Sequence, residues 1–87
     1  MTKPLIIDAR EDFEFKDGHV DQAINISPMR FMTGEVPVEL NNIDKSDPII
    51  VYCRTGSRSN VVVNILGDLG FTNVTNGINQ GHVEKML

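Results

Sequence analysis

With 87 residues, the chain is sized for one small domain, near the limit at which a core suffices without staples. Its single cysteine excludes an internal disulfide. A net charge of -4, from eight basic and twelve acidic residues without a Lys/Arg run, argues against a nucleic-acid partner.

The chain opens with Leu5-Ile6-Ile7, a β-branched run ending in Asp8 that reads as a buried strand. Three apolar residues are far short of a signal-peptide core or a membrane span, so the expectation is a cytoplasmic protein with no membrane partner. Glu11 to Lys16 reads as a short helix, acidic at its start as the helix dipole prefers and stopped by Asp17-Gly18. Ala23 to Ile26 is a second short strand, closed by Ser27-Pro28. Residues 29 to 43 hold two weak helical turns, with Phe31, Val38, Leu40 and Ile43 expected to face inward. Phe13, Phe15, Met29, Phe31 and Met32 are expected in the core, with Met29 to Met32 also placed to line a pocket mouth.

Ile49 to Tyr52 is the strongest strand and runs directly into Cys53. A helix is expected over Ser59 to Asp68, with Val62, Ile65, Leu66 and Leu69 at helical spacing and Gly70 as its stop. Phe71 to Thr75 reads as a further strand, Asn76-Gly77 as a turn, and Gln80 to Leu87 as a last short helix. Alternating strands and helices predict one α/β domain over residues 1–87 with a mainly parallel sheet. Ligands of such sheets sit beyond the carboxyl ends of strands, which is where Cys53 falls.

The segment Cys53-Arg54-Thr55-Gly56-Ser57-Arg58-Ser59 therefore carries the chemistry. A free thiol has a pKa of about 8.5, and a helix N-terminus with nearby arginines lowers it to about 3.5–7.5. Cys53 has both influences, from the following helix start and from Arg54 and Arg58, so it reads as a nucleophilic thiolate. Without a second cysteine, a dithiol cycle within the chain is impossible. Four residues separate Cys53 from Arg58. Cysteine phosphatases use a loop one residue longer, whose amides cradle a tetrahedral oxyanion; the shorter ring fits a single extra sulfur, a persulfide. His19 reads as a structural hydrogen-bonder after its glycine turn, and neither His19 nor His82 stands at metal-ligand spacing. Asp8 and Arg10 read as a buried brace at a strand end, with a supporting shell behind the loop as their functional alternative.

The loop resembles the active-site loop of the rhodanese-like sulfurtransferases, and the resemblance extends beyond it. Leu5 to Glu11 is similar to that family's opening strand and Asp-x-Arg turn. Gly18-His19-Val20-Asp21-Gln22-Ala23-Ile24-Asn25-Ile26 resembles its Gly-His-Ile-Pro-Gly-Ala-x-Asn-Ile segment, and Leu69 to Val74 the stretch before its last strand. Asp21-Gln22 stands where the family often has Pro-Gly, Asn76-Gly77 where it has Gly-Gly, and the tryptophan usual soon afterwards is absent.

The resemblance implies a three-layer α/β/α domain whose mainly parallel central sheet has about four to five strands. It implies sulfur transfer through a persulfide on Cys53, from a small anionic donor such as thiosulfate or a persulfide to cyanide or a thiol, including a protein sulfur acceptor. The loop amides from Arg54 to Ser59 would stabilise that persulfide, helped by the Thr55 and Ser57 hydroxyls. Arg58 would brace the loop, and Arg54 would meet the donor. No metal or organic cofactor is implied. Two alternatives stand beside this reading: a persulfide carrier or interaction module with little thiosulfate turnover, and a cysteine phosphatase or arsenate-reductase-like enzyme, which the loop length disfavours.

Overall fold

The computed structural model describes residues 3–87; Met1 and Thr2 of the expected 1–87 domain lie outside them. Four strands, β1 (Leu5–Asp8), β2 (Ile24–Asn25), β3 (Ile49–Cys53) and β4 (Val74–Asn79), form one sheet in the order β2-β1-β3-β4. All three pairings are parallel. Helices α1 (Asp12–Lys16), α2 (Ser57–Asp68) and α3 (Gln80–Met86) complete the domain with two 3₁₀ turns, Pro28–Phe31 and Val38–Leu40.

The two-residue period of the central strands separates two cores. Ile7, Ile49 and Val51 pack on one side with Val62 and Leu66 of α2, Phe31 and Leu40 of the 3₁₀ turns, and Phe71. Ile6, Ile50 and Tyr52 pack on the other with Val20, Ala23 and Val83 of α3, and Phe15 of α1 lies against them. Every residue of β3 is buried, as a central strand covered on both faces requires. The three-layer expectation is thus met, with four strands among the described residues.

Several boundaries differ from the sequence expectation. Helix α2 begins at Ser57 rather than Ser59, which shortens the loop and brings Arg58 and Ser59 into the first helical turn. The expected Asn76-Gly77 turn is a bulge inside β4: Asn76 pairs with Val51 and Ile78 with Tyr52, leaving Gly77 as the extra residue. A Cβ at Gly77 would stand 2.5 Å from a Val83 methyl and 2.8 Å from an Ile50 methyl, so close packing of α3 on the sheet demands glycine here. Phe71 precedes the strand, because its N–H closes α2 by donating to the Leu66 carbonyl. The strand expected over Ala23 to Ile26 is reduced to Ile24–Asn25.

The inward assignments hold for Phe31, Leu40 and, in part, Ile43 and Phe15. They fail for Val38, Phe13, Met29 and Met32, which are exposed. The segments carrying them are too short to bury more than one flank; Phe31 and Leu40 take the buried positions and Phe15 a half-buried one. Gln22, in the turn that the Ala23 N–H closes onto the Val20 carbonyl, has φ 69° and so adopts a left-handed conformation without being glycine.

Candidate active site

Cys53 ends β3, and the chain turns back through Gly56 into α2. Gly56 caps the helix with φ 96°, a left-handed conformation that glycine adopts at no steric cost. That turn folds the first amides of α2 over the sulfur. The Gly56 N–H donates to Cys53 Sγ at 3.1 Å and the Ser59 N–H at 3.4 Å. These are helix-start amides without an intrahelical acceptor, so their positive ends are free to face an anion. The Ser59 hydroxyl oxygen lies 3.4 Å from Sγ. Burial pushes the Cys53 thiol up, but the Ser59 hydroxyl, where it turns to donate to the sulfur, and the amides of Ser59, Gly56 and Thr55 outweigh it and bring the thiol down to about 7. At neutral pH the sulfur is therefore substantially ionised.

The loop side chains divide into two groups. Arg54, Thr55 and Ser57 are exposed, and the Thr55 and Ser57 hydroxyls lie 3.3 Å from each other. Arg58 is half-buried and forms a two-pronged ion pair with Glu14 of α1, at 2.7 and 3.1 Å. Glu14 also accepts the Glu11 N–H at the start of α1, and Arg54 Nε approaches it to 3.6 Å. The Arg58 guanidinium, the Glu11 amide and Arg54 together hold the Glu14 carboxyl down to about 2. Arg58 thus ties the loop to α1 across 44 positions of sequence. A cleft beside this tie is lined by Arg10, Glu11, Phe13, Glu14, Asp17, Arg54 and Arg58.

Asp8 and Arg10 sit at the end of the neighbouring strand. The fully buried Asp8 carboxylate accepts the Arg10 N–H, the Arg10 guanidinium and the Tyr52 hydroxyl, with the last at 2.9 Å. Arg10 Nη2 donates onward to the Gly18 carbonyl, and the Tyr52 oxygen accepts the Val20 N–H at 3.0 Å. Burial, reinforced by the Asp8 bond, pushes the Tyr52 phenol up to about 12. Asp8 and Arg10 are therefore braced against the residue preceding Cys53, but neither bonds to the loop. His19 stacks on the Phe15 ring, and its Nδ1 bonds the Phe15 carbonyl at 2.8 Å, as a structural histidine would. Met29 lines a separate cleft with Arg30, Thr33 and Val36.

Sequence reasoning passed over three contributors. Glu14 was read only as part of an acidic helix start, Tyr52 only as strand, and Asn76 only as a turn residue. Asn76 Nδ2 donates to the Gly56 carbonyl at 3.0 Å, and its Oδ1 accepts the Ser59 hydroxyl at 2.6 Å. The one available signal was that Asn76 replaces a glycine of the family pattern.

A buried cysteine at the carboxyl end of a parallel strand, facing helix-start amides, is an arrangement suited to stabilise a thiolate. Residues 1–81 match the family model of the rhodanese-like domain, and the chain belongs to that family. It is 34% identical over 70 residues to the thiosulfate sulfurtransferase PspE of Escherichia coli, covering 80% of this chain and 64% of that enzyme. It is 32% identical over 76 residues to the adenylyltransferase and sulfurtransferase UBA4 of Candida glabrata, covering 80% of this chain and 18% of that protein. The chain spans 62%, 56% and 64% of three curated relatives that it matches. Among solved structures, a rhodanese with anions from E. coli superposes with a TM-score of 0.79 at 30% identity, covering 92% of this chain and 91% of that one. The Rhodanese_3-like domain of Alr3790 from Anabaena gives 0.78 at 21% identity and bears on the fold alone.

Proposed function

We propose that this domain is a sulfurtransferase that carries a sulfane sulfur on Cys53. The observation that supports this most directly is the sulfur itself, held at 3.1 and 3.4 Å from two helix-start amides and brought to a pKa of about 7. The Cys53 thiolate attacks the outer sulfur of a donor such as thiosulfate. A new S–S bond forms, the donor's own S–S bond breaks, and sulfite leaves with its electron pair. Cys53 then bears an outer sulfur whose negative charge faces the loop amides, the same donors that stabilise the thiolate. Cyanide or an acceptor thiolate attacks that outer sulfur; the S–S bond to Cys53 breaks and the thiolate is restored. Protons are not consumed, which fits a loop without an acid–base histidine.

Arg58 holds the loop to α1, and Arg54 at the rim is the cation available to an anionic donor. Asp8, Arg10 and Tyr52 fix the strand end from which Cys53 emerges. The expected setting is cytoplasmic.

Mass spectrometry of the intact protein after thiosulfate treatment tests the reading. The expected result is a gain of one sulfur atom, lost on adding cyanide with release of thiocyanate. No added sulfur with thiosulfate or with a persulfide donor would overturn it.

A second reading, as a persulfide carrier with little thiosulfate turnover, is favoured by one feature. Glu14 neutralises Arg58 and approaches Arg54, and Glu11 and Asp17 line the same cleft, so little positive charge is left for a small dianion. Sulfur loading from a protein persulfide, with slow thiocyanate formation from thiosulfate, would select this reading.

A further inference from the structure

We propose that Asn76 is a positioning residue for the cysteine loop, and that it decides whether the Ser59 hydroxyl can donate to the sulfur. The orientation of its amide is fixed by groups with no choice of role. The Ile78 N–H can only donate, and it meets Asn76 Oδ1 at 3.0 Å. The Gly56 carbonyl can only accept, and it meets Asn76 Nδ2 at 3.0 Å. The Ser59 hydroxyl, 2.6 Å from Oδ1, must therefore be the donor in that contact.

A hydroxyl has one proton. With that proton committed to Asn76, the Ser59 oxygen turns a lone pair toward Cys53 Sγ at 3.4 Å. That arrangement suits a thiol, whose S–H can donate to the oxygen, and opposes a thiolate. Ionisation of Cys53 thus competes with Asn76 for one proton. The Gly56 and Ser59 amides pull toward the thiolate throughout, whereas the hydroxyl helps only after leaving Asn76. Its other acceptor, the Gly56 carbonyl at 3.2 Å, is longer and already takes the Asn60 and Asn76 N–H groups. Of the charged groups near the loop, Arg58 pairs with Glu14 and Arg54 approaches the same carboxylate, and none of the three bonds to Ser59 or Asn76.

A glycine at position 76, as in the family pattern, would offer no such acceptor. Asn76 thus holds the loop in register from β4 while keeping the resting thiol less ionised than its amides alone would make it. The effect on the resting thiol stands by itself; the parallel effect on the outer sulfur of the loaded form rests on the sulfur-transfer reading.

The test is the pH midpoint of Cys53 alkylation by iodoacetamide, measured on the unloaded full chain. Asn76→Ala is expected to lower the midpoint by about half a unit, giving about threefold more thiolate at pH 6. Asn76→Asp is expected to raise it, since a carboxylate holds the Ser59 proton more firmly and adds negative charge near the sulfur. In a Ser59→Ala background, Asn76→Ala should lose its effect. An unchanged or raised midpoint in Asn76→Ala would overturn the proposal, and so would the same downward shift in the Ser59→Ala background. Should Asn76→Ala fail to give a folded circular-dichroism spectrum, Asn76→Gly takes its place with the same expected shift. Because alkylation needs no sulfur donor, the shift can appear in a protein that never loads sulfur. Such an outcome would sink the proposed function and leave this inference standing.

Discussion

Two adjacent strand ends hold buried anion-forming groups in opposite ways. Asp8 and Tyr52 are register partners on β1 and β3, and Cys53 is the next residue along β3. The Asp8 carboxylate is surrounded by side-chain donors, the Arg10 guanidinium and the Tyr52 hydroxyl, and is fully buried. The Cys53 sulfur is met by backbone amides on the helix side. A carboxylate saturated by a guanidinium and a phenol has no remaining task but to hold turns together. A thiolate cradled by amides keeps its nucleophilic lone pairs. The same depth of burial thus yields a brace in one place and a reagent in the other, and what differs is the kind of donor.

Exchanging the two roles should fail in opposite directions. Cys53→Ser is expected to abolish sulfur transfer with little change in the urea midpoint; retained thiocyanate formation would break the comparison. Wild-type alkylation should rise with pH through a midpoint of about 7 and level off above it, since only the thiolate reacts.

Asp8→Ala should do the reverse. Removing one partner of a buried ion pair costs about 3–5 kcal/mol, a large share of a small domain's stability. The alkylation midpoint of the fraction that remains folded should stay near its wild-type value, and a large shift would show that Asp8 acts on the loop.

Arg58→Ala stands between these extremes, because it frees the loop from α1 without touching the sulfur. The expected loss of transfer rate is about tenfold, the equivalent of about 1.4 kcal/mol in the barrier. Its stability signature has a sign. Glu14 is held at about 2 against an ordinary 4.5, so the pair's contribution is fully present above about 4.5 and disappears as pH falls toward 2. Urea titrations from pH 6 to pH 2 should show this acid-side loss in the wild type and a smaller one in Arg58→Ala.

The smallest effect belongs to the Asp8 side. Gln22 lies two residues beyond Val20, whose N–H the Tyr52 hydroxyl accepts, and it occupies a left-handed conformation. Gln22→Gly relieves about 1–2 kcal/mol of strain, of which glycine's extra unfolded-state freedom returns about 0.5–1. A net gain of about 0.5 kcal/mol in thermal unfolding is expected, with transfer rates unchanged.

Much of the fold was legible along the chain. The apolar run Ile49 to Tyr52 reads as the strongest strand and is buried throughout, whereas adjacent Ile6 and Ile7 look alike in the sequence and only the folded sheet sends them to different cores. The cysteine loop was legible because its contacts to sulfur span three and six residues, so local spacing and Gly56 are enough to close it. Short segments misled. Phe13, Met29, Met32 and Val38 are apolar but lie on or beside short helical segments with one flank to bury. Asn76-Gly77 has a turn's composition, yet pairing with the buried β3 carries the strand through it as a bulge.

The sequence by itself therefore determined the reagent: a thiol at a strand end beneath the first amides of a helix. Tertiary structure alone decided how that reagent is tuned. Glu14 reaches Arg58 across 44 positions, Tyr52 reaches Asp8 across 44, and Asn76 reaches Ser59 across 17. Those partners meet because the strand order places β1 and β4 on either side of β3. Backbone donors follow from local geometry, whereas side-chain partners at such separations exist only once the sheet has assembled in register.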